Sequence, residues 1–174
     1  MNFRYAVATI AIAALTACAS VDVNEYRAEK PVLDLAQYFN GTVDGWGMFQ
    51  DRSGKVVKRF YVRIDARWEG NTGTLDEHFE YADGEKQNRV WTLVRNGDRY
   101  TGTAADVVGI AQGSAQGNAL AWNYVLALPV DGKVWHMDMD DWMYLVDEKT
   151  MLNRTAMSKF GFRVGEVTLA FRKR

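Results

Sequence analysis

The segment from Lys133 to Asp147, KVWHMDMDDWMYLVD, constrains the fold more than any other part of this chain. Its side chains alternate with a period of two, so one face is apolar except for a single carboxylate. That face consists of Trp135, Met137, Met139, Asp141, Met143 and Leu145. We therefore interpret the segment as a long β-strand with one buried face.

Both flanking segments can pair with this strand in an antiparallel register. Upstream, Asp131-Gly132 is a strong two-residue hairpin signal. A tight turn there predicts the pairs Leu128 with Trp135, Leu126 with Met137, Tyr124 with Met139 and Trp122 with Asp141. Downstream, a turn around Glu148-Lys149 predicts the pairs Leu145 with Leu152, Asp141 with Ala156, Met137 with Phe160 and Trp135 with Phe162. In that register Arg154 lies diagonal to Asp141 and is its expected ion-pair partner.

Elsewhere in residues 39–174, the sequence pattern predicts further short strands joined by turn dipeptides. Residues 56–68 alternate between an apolar and a charged face, and Asn96-Gly97 is another hairpin signal. Residues 106–118 are rich in glycine and alanine and predict small-residue strands or a loop. We predict an all-β fold, an antiparallel up-and-down meander of about eight to ten strands that closes into a β-barrel and so removes exposed edges. A transmembrane barrel is disfavoured, because the polar strand faces carry many charges.

The turn at Asp83-Gly84 leaves the register of one hairpin open. A two-residue turn pairs Glu77 with Val90, whereas a three- or five-residue loop places Glu77, Arg89 and Trp91 on one face. An unpaired carboxylate on an apolar face is unfavourable, so Arg89 is the expected partner of Glu77.

The first residues have the pattern of a signal peptide, which we assign to residues 1–17. Arg4 is followed by an apolar run and then by small residues. Leu15-Thr16-Ala17-Cys18 resembles a bacterial lipobox, which implies cleavage before Cys18 and acylation of its thiol and amino group. An ordinary secretory signal is the alternative. Ser20 replaces the aspartate that implies inner-membrane retention, so we expect a lipid anchor in the outer membrane, on its periplasmic side.

Residues 18–38 are assigned to the anchor and a tether. Residues 19–30 are polar without an apolar period, which predicts a solvated tether. Residues 32–38 predict either one short helix or an extended plug. Residues 39–174 form the predicted barrel domain.

The candidate ligand-binding residues lie on the apolar strand faces. We expect Arg154 or Arg89 to receive the carboxylate or phosphate head of a lipid, while aromatic and methionine side chains hold its tail. The alternative for each acid–base pair is a structural ion pair that fixes strand register. The candidates are Arg154, Asp141, Arg89, Glu77, Trp91, Trp122, Tyr124, Trp135, Met137 and Met139.

Other function classes have less support. The net charge of -1 gives no electrostatic footprint for nucleic acid. With two histidines, no serine elbow and no phosphate loop, we predict no catalytic residue and no cofactor, although acid/base catalysis on a lipid by Glu77 or Asp141 is an alternative. A structural envelope protein with a filled barrel is a third possibility.

A metal site is also not predicted. His136, Asp138 and Asp140 share a strand face, but side chains at alternate positions project in parallel about 7 Å apart. We expect Asp138 to form a cross-strand ion pair with Lys159 instead.

With these motifs in place, the chain resembles a bacterial lipoprotein family known as domain of unknown function 3833. The resemblance covers nearly all of the mature chain and implies a lipocalin-type barrel. Because members are often encoded beside cyclopropane fatty acid synthesis enzymes, it also implies a lipid-related role, but no mechanism. The residues that carry it are Cys18, Phe39-Asn40-Gly41, Gly45-Trp46-Gly47, Glu77, Phe79, Tyr81, Asp83-Gly84, Arg89-Val90-Trp91, residues 106–109, Gly117-Asn118, residues 140–144, Asn153-Arg154 and Lys159-Phe160-Gly161.

Overall fold

Ten antiparallel strands form a closed barrel in a computed structural model that describes residues 21–130 and 132–174. Each strand pairs with its neighbours in the chain, and the first strand pairs with the last. This confirms the predicted all-β up-and-down meander. The strands are β1 Gly41–Asp51, β2 Val56–Glu69, β3 Thr72–Tyr81, β4 Lys86–Asn96, β5 Arg99–Thr103, β6 Val107–Gln116, β7 Ala119–Val130, β8 Lys133–Leu145, β9 Thr150–Lys159 and β10 Phe162–Lys173.

A short helix, α1 (Leu35–Tyr38), closes one end of the barrel, which we call the plugged end. The carboxylate of Asp34 caps it by accepting hydrogen bonds from the backbone N–H groups of Ala36 (2.9 Å) and Gln37 (3.3 Å). Leu35 is buried, and the buried ring of Phe39 meets Phe171 edge-on at 5.8 Å. Of the two predicted alternatives for this segment, the helix is therefore observed. The opposite end, formed by the hairpins β1–β2, β3–β4, β5–β6, β7–β8 and β9–β10, is called the far end.

The chain before α1 packs on the outside of the barrel rather than extending into solvent. A 3₁₀ turn, Val23–Tyr26, begins with a capping box in which Asp22 and Glu25 satisfy each other's backbone N–H groups. Val23 is buried, and the ring of Tyr26 lies 5.4 Å from that of Tyr144. Over residues 23–26 the structure thus differs from the predicted solvated tether. The side chains of Val23 and Tyr26 attach this segment to the barrel, and two isolated apolar residues form no periodic pattern that the sequence would reveal.

The registers of two hairpins follow from their turns. Between β7 and β8 all four predicted pairs are observed, including Tyr124 with Met139 and Trp122 with Asp141. Between β3 and β4 the backbone N–H of Tyr81 donates to the carbonyl of Glu85 at 2.9 Å, which leaves a three-residue loop. Glu77 therefore lies opposite Arg89, and this outcome resolves the register that the sequence left open.

The register predicted between β8 and β9 is wrong by one residue. Asp141 lies opposite Thr155, not Ala156, and Leu145 lies opposite Met151, not Leu152. The cause is the turn, because the Asp147 carboxylate accepts hydrogen bonds from the N–H groups of Lys149 (2.8 Å) and Thr150 (2.7 Å) and forms a three-residue loop.

A one-residue shift moves every side chain of a strand to the other face. The residues wrongly predicted to face the interior are therefore exposed, with Leu152 at 49%, Phe160 at 80% and Phe162 at 77%. Asp138 lies opposite Ser158 instead of Lys159, whose ammonium group donates to the carbonyl of His136 at 2.6 Å.

Candidate ligand site inside the barrel

The interior of the barrel contains a cavity of about 130 Å³ between the α1 plug and the aromatic residues of the far end. Apolar side chains form most of its wall, including Leu35 and Phe39 of the plugged end. Seven of the ten candidate residues line it, and these are Glu77, Arg89, Trp91, Trp122, Tyr124, Met139 and Asp141.

Among the described residues, Arg89 is the only arginine that lines the cavity, and it is held by two carboxylates. Its Nε lies 2.9 Å from both carboxylate oxygens of Asp106, and its Nη2 lies 2.7 Å from Oδ2. Its Nη1 lies 3.5 Å from Oε2 of Glu77. Burial opposes the charge of Arg89, but these two carboxylates outweigh burial and raise the pKa of its guanidinium above the ordinary value.

Asp106 was not among the sequence candidates. It lies in the β5–β6 connection at the far end, level with Arg89 when the β4–β5 register is continued, and it was missed because residues 106–118 were predicted as a separate small-residue segment.

Glu77 combines deep burial with an unsatisfied oxygen. Its side chain is 13% exposed, and Oε2 is a buried atom that accepts no hydrogen bond from any described residue. Burial raises the pKa of Glu77 to about 7, Arg89 partly offsets that effect, and the negative charges of Asp106 and Asp141 reinforce it. Near neutral pH this carboxyl group therefore exists in both its protonated and ionised forms.

Asp141 is the second buried carboxyl group of the cavity, with 6% of its surface exposed. The amide of Asn153 donates a hydrogen bond to its Oδ1 and another to the carbonyl of Trp142 at 3.1 Å. Burial raises the pKa of Asp141 to about 7, and hydrogen bonds from Asn153 and Thr155 limit the rise. Asn153 and Thr155 were missed because the predicted β9 register placed both on the outer face.

An aromatic wall stands beside these acids. The ring of Trp91 meets Tyr124 edge-on at 5.4 Å and Trp122 at 5.9 Å. Burial raises the pKa of Tyr124, so its phenol is neutral at physiological pH and can donate a hydrogen bond.

A second aromatic group at the far end was not predicted as part of the site. Phe60 lies 5.4 Å from Phe49, 5.6 Å from Phe79 and 5.9 Å from Tyr81, measured between ring centroids. All four residues line the cavity on the side of the far end. Their alternation along β1, β2 and β3 was visible in the sequence, but it did not distinguish a cavity wall from an ordinary core.

Three sequence candidates lie away from the cavity. Arg154 is on the outside of β9, where its Nε donates to Glu166 at 2.8 Å and its side chain is 61% exposed. The predicted pairing of Arg154 with Asp141 is therefore wrong, as a consequence of the shifted β8–β9 register. Met137 is buried in the core, and Trp135 lies near the far end with 41% of its surface exposed.

The family model for proteins of unknown function DUF3833 matches residues 12–173 of this chain. The chain belongs to that family. Comparison with curated proteins finds no match.

Solved structures with the same fold are distant in sequence from this DUF3833 protein. One is a protein of unknown function from the DUF3598 family of Nostoc punctiforme, with a TM-score of 0.61 and 14% identity over 84% of this chain. The match covers 51% of that protein, so the present chain spans about half its length. Another is the S-type phycobiliprotein lyase of Guillardia theta, with a TM-score of 0.56, 5% identity, and coverage of 78% of this chain and 88% of the lyase. At these identities the likeness shows the fold alone.

Two further observations concern the described part of the DUF3833 protein. Within residues 21–130 and 132–174, no three acidic, histidine or cysteine side chains converge in the way that a metal ion requires. None of the helices in the same ranges has the length and apolar character needed to cross a membrane. Asp140, one of the three side chains that share this strand face, accepts hydrogen bonds at Oδ1 from Asn123 and Trp142, both at 3.1 Å.

Proposed function

We propose that this DUF3833 protein is an outer-membrane lipoprotein whose barrel binds a small apolar molecule bearing one hydrogen-bonding group. The observation that supports binding is the position of Glu77 Oε2, a buried oxygen that accepts no hydrogen bond from the described residues, at the wall of a mostly apolar cavity. Buried polar atoms are nearly always satisfied, so such an atom at a cavity wall suggests a missing partner.

The cavity volume limits what can be enclosed. At about 130 Å³ the cavity is close to the size that holds a single benzene-like ring, and it is smaller than the roughly 300–1,000 Å³ of ordinary ligand pockets. A complete lipid is therefore not enclosed in this conformation. One ring or a short chain segment fits, with the rest of a longer molecule passing between Phe49, Phe79 and Tyr81 at the far end.

The charges around the cavity select the polar group of the ligand. Arg89 is already bound by Asp106 and faces Glu77, and Asp141 adds a third carboxyl group. An anionic head would meet three acidic groups and one guanidinium that is already neutralised. A hydroxyl or amine group that donates to Glu77 is favoured, in place of the carboxylate or phosphate head expected from the sequence.

The lipoprotein part of the proposal depends on the lipobox at Leu15-Thr16-Ala17-Cys18, which lies outside the described residues. Diacylglyceryl attachment and N-acylation at Cys18 would place three acyl chains on the chain, and each buried methylene contributes about 0.8 kcal/mol to membrane binding. Ser20 favours the outer membrane, on its periplasmic side.

Acid/base catalysis on a lipid is the second candidate function. The observation that favours it is the raised pKa, about 7, of both Glu77 and Asp141 in one cavity, which suits proton transfer near neutral pH. Asp141→Asn would then abolish turnover of a bound ligand without preventing its binding.

The binding proposal is tested by native mass spectrometry of the full acylated chain purified from its own type of host. We expect a co-purifying molecule that is retained in Arg154→Ala, whose site lies outside the barrel, and lost in Glu77→Gln with Trp91→Leu. Benzyl alcohol and benzoate serve as probes in solution, with the alcohol binding more tightly at neutral pH. An empty chain that takes up neither probe would contradict the proposal and would support a filled, structural barrel.

A further inference from the structure

A row of apolar side chains crosses the outside of the barrel over five neighbouring strands. Register places its members side by side, and we call them the outer row: Tyr144, Leu152, Ala170, Trp46 and Tyr61. Trp46 is 54% exposed and Leu152 is 49% exposed, and the rings of Trp46 and Tyr61 lie 5.9 Å apart. The row lines an open groove of about 920 Å³.

Basic side chains border the outer row on its far-end edge, and Glu80, which lies opposite Tyr61, ends the row on β3. Arg59 and Arg154 lie one register step toward the far end, beside Met48 and Thr168, and both line the same groove. Both arginines are exposed. An apolar and aromatic strip with arginines along its edge matches the interface of a bilayer, where aromatic rings lie at the level of the head groups and arginine meets phosphate.

The amino-terminal segment continues this surface. The ring of Tyr26 packs on those of Tyr144 (5.4 Å) and Trp142 (6.0 Å), so the 3₁₀ turn is fixed at one end of the outer row. The turn is held further by the burial of Val23 and by its capping box. The described chain therefore has no flexible linker between Val21 and the point where Tyr26 packs on the barrel.

The distance from this turn to the predicted anchor is short. Cys18 precedes Val21 by three residues, and three extended residues span at most about 10 Å. An acylated Cys18 therefore holds the end of the outer row near the membrane surface. This step rests on the lipoprotein part of the proposed function.

We propose that the outer row is a membrane-docking face, on which the barrel lies against the bilayer that carries its lipid anchor. The aromatic rings and Leu152 enter the head-group region, and Arg59 contacts lipid phosphate, while Arg154 beside it is held by Glu166. The barrel then rests on its side rather than standing on a free tether.

The test uses the full chain, in which acylation of Cys18 leaves an introduced cysteine as the sole free thiol. An environment-sensitive fluorophore is attached in Leu152→Cys and in Ala170→Cys, both on the face. The controls are Ile110→Cys on β6, which lies five strands from β1 in either direction, and Val134→Cys at the far end. The two control positions, Ile110 and Val134, are 63% and 65% exposed. Leu152 is also exposed, whereas Ala170 is partly buried.

The labelled chains are reconstituted in vesicles of phosphatidylethanolamine and phosphatidylglycerol, with and without brominated acyl chains. We expect a blue shift and bromine quenching at both face positions, several-fold greater than at the two controls. Equal quenching at all four positions, or greater quenching at the controls, would overturn the docking face. A blue shift that needs no vesicles and grows with protein concentration would instead identify a second copy of the chain as the occupant.

Mass measurement of the amino-terminal peptide separates this result from failure of the proposed anchor. If the peptide carries no acyl chains, the lipoprotein proposal fails, and flotation of the unlabelled chain with the same vesicles tests the face directly. Absence of flotation would then overturn the docking face as well.

Discussion

Glu77 lies directly opposite Arg89 on neighbouring strands, yet the closest approach of their charged atoms is 3.5 Å, and Oε2 of Glu77 accepts no hydrogen bond from the part of the chain that the structure describes. Asp106 takes the better geometry, with three contacts of 2.7–2.9 Å to the same guanidinium. The negative charge of Glu77 is therefore less well neutralised by Arg89 than that of Asp106. This difference determines how the stability of the barrel responds to pH and to substitution.

Glu77→Gln is expected to reduce the loss of stability that accompanies rising pH. The folded-state pKa of Glu77 is raised from 4.5 to about 7, so the folded chain retains a proton that the unfolded chain releases. This contribution to stability is fully present below the unfolded value and is lost as pH rises through the folded value. The free energy of unfolding of the native protein should fall by roughly 2–3 kcal/mol between about pH 5 and pH 8 because of this group.

Urea unfolding of the native protein and the variant at both pH values measures the effect. Glu80→Gln is the matched control, because Glu80 is an exposed residue of the same strand. An identical pH dependence in the native protein and in Glu77→Gln would contradict the prediction.

Asn153→Ala is expected to destabilise the barrel by about 1–3 kcal/mol, because it removes the amide that donates to the buried Asp141. The size of this destabilisation depends on the negative charge of the Asp141 carboxylate. In an Asp141→Asn background the same substitution should therefore cost less, since a neutral amide is less strongly disfavoured when it loses one donor. A double-mutant cycle by urea unfolding measures this difference, and equal effects in both backgrounds would exclude the coupling.

Arg89→Met and Arg154→Met should differ greatly in stability, although both arginines were candidates for the same role. Arg89 is 14% exposed, and its loss removes the positive partner that Glu77 and Asp106 share, which costs about 3–5 kcal/mol. Arg154 is 61% exposed, so its replacement should change stability by less than about 1 kcal/mol. Thermal or urea unfolding of the two variants measures this difference. Similar losses of stability in both would show that the contacts of Arg89 with Glu77 and Asp106 stabilise the barrel no more than the surface pair of Arg154.

The sequence predicted the parts of this fold that depend on strand periodicity and two-residue turns. The β7–β8 register followed from Asp131-Gly132 and from two matching apolar faces. The β8–β9 register did not, because the Asp147 carboxylate closes a three-residue loop that contains no glycine signal. Since one residue of slip exchanges the two faces of β9, that single turn decided whether Arg154 or Asn153 faced Asp141.

The candidate site was predicted in part for the same reason. Residues on β3, β4, β7 and β8 were identified by their alternation, which requires only local information. Asp106 lies just beyond β5, and the β4–β5 register that pairs Thr92 with Thr103 brings it level with Arg89. The sequence pattern had assigned residues 106–118 to a separate small-residue segment, so this contact was not predicted.

Gly117→Ala is expected to detach the amino-terminal segment from the barrel. An added Cβ at Gly117 would lie 1.7 Å from the carbonyl oxygen of Tyr26, and the residue has a φ of +54° that disfavours alanine. The matched control is Gly97→Ala, because Gly97 has a similar φ of +66° but no atom of the described residues lies within 4 Å of the added Cβ. Both variants carry the backbone strain of about 1 kcal/mol, and only Gly117→Ala carries the collision.

Limited proteolysis near Tyr26 measures the detachment. Cleavage in the segment of residues 21–34 should be much faster in Gly117→Ala than in Gly97→Ala at equal global stability. The reason is that the 3₁₀ turn can no longer pack against the backbone at position 117. The acylated Gly117→Ala chain should also show weaker bromine quenching of a label at position 152, since the turn no longer holds the outer row near the anchor. Equal cleavage of the two variants would mean that Tyr26 is held by Trp142 and Tyr144 alone, without the close backbone contact at Gly117.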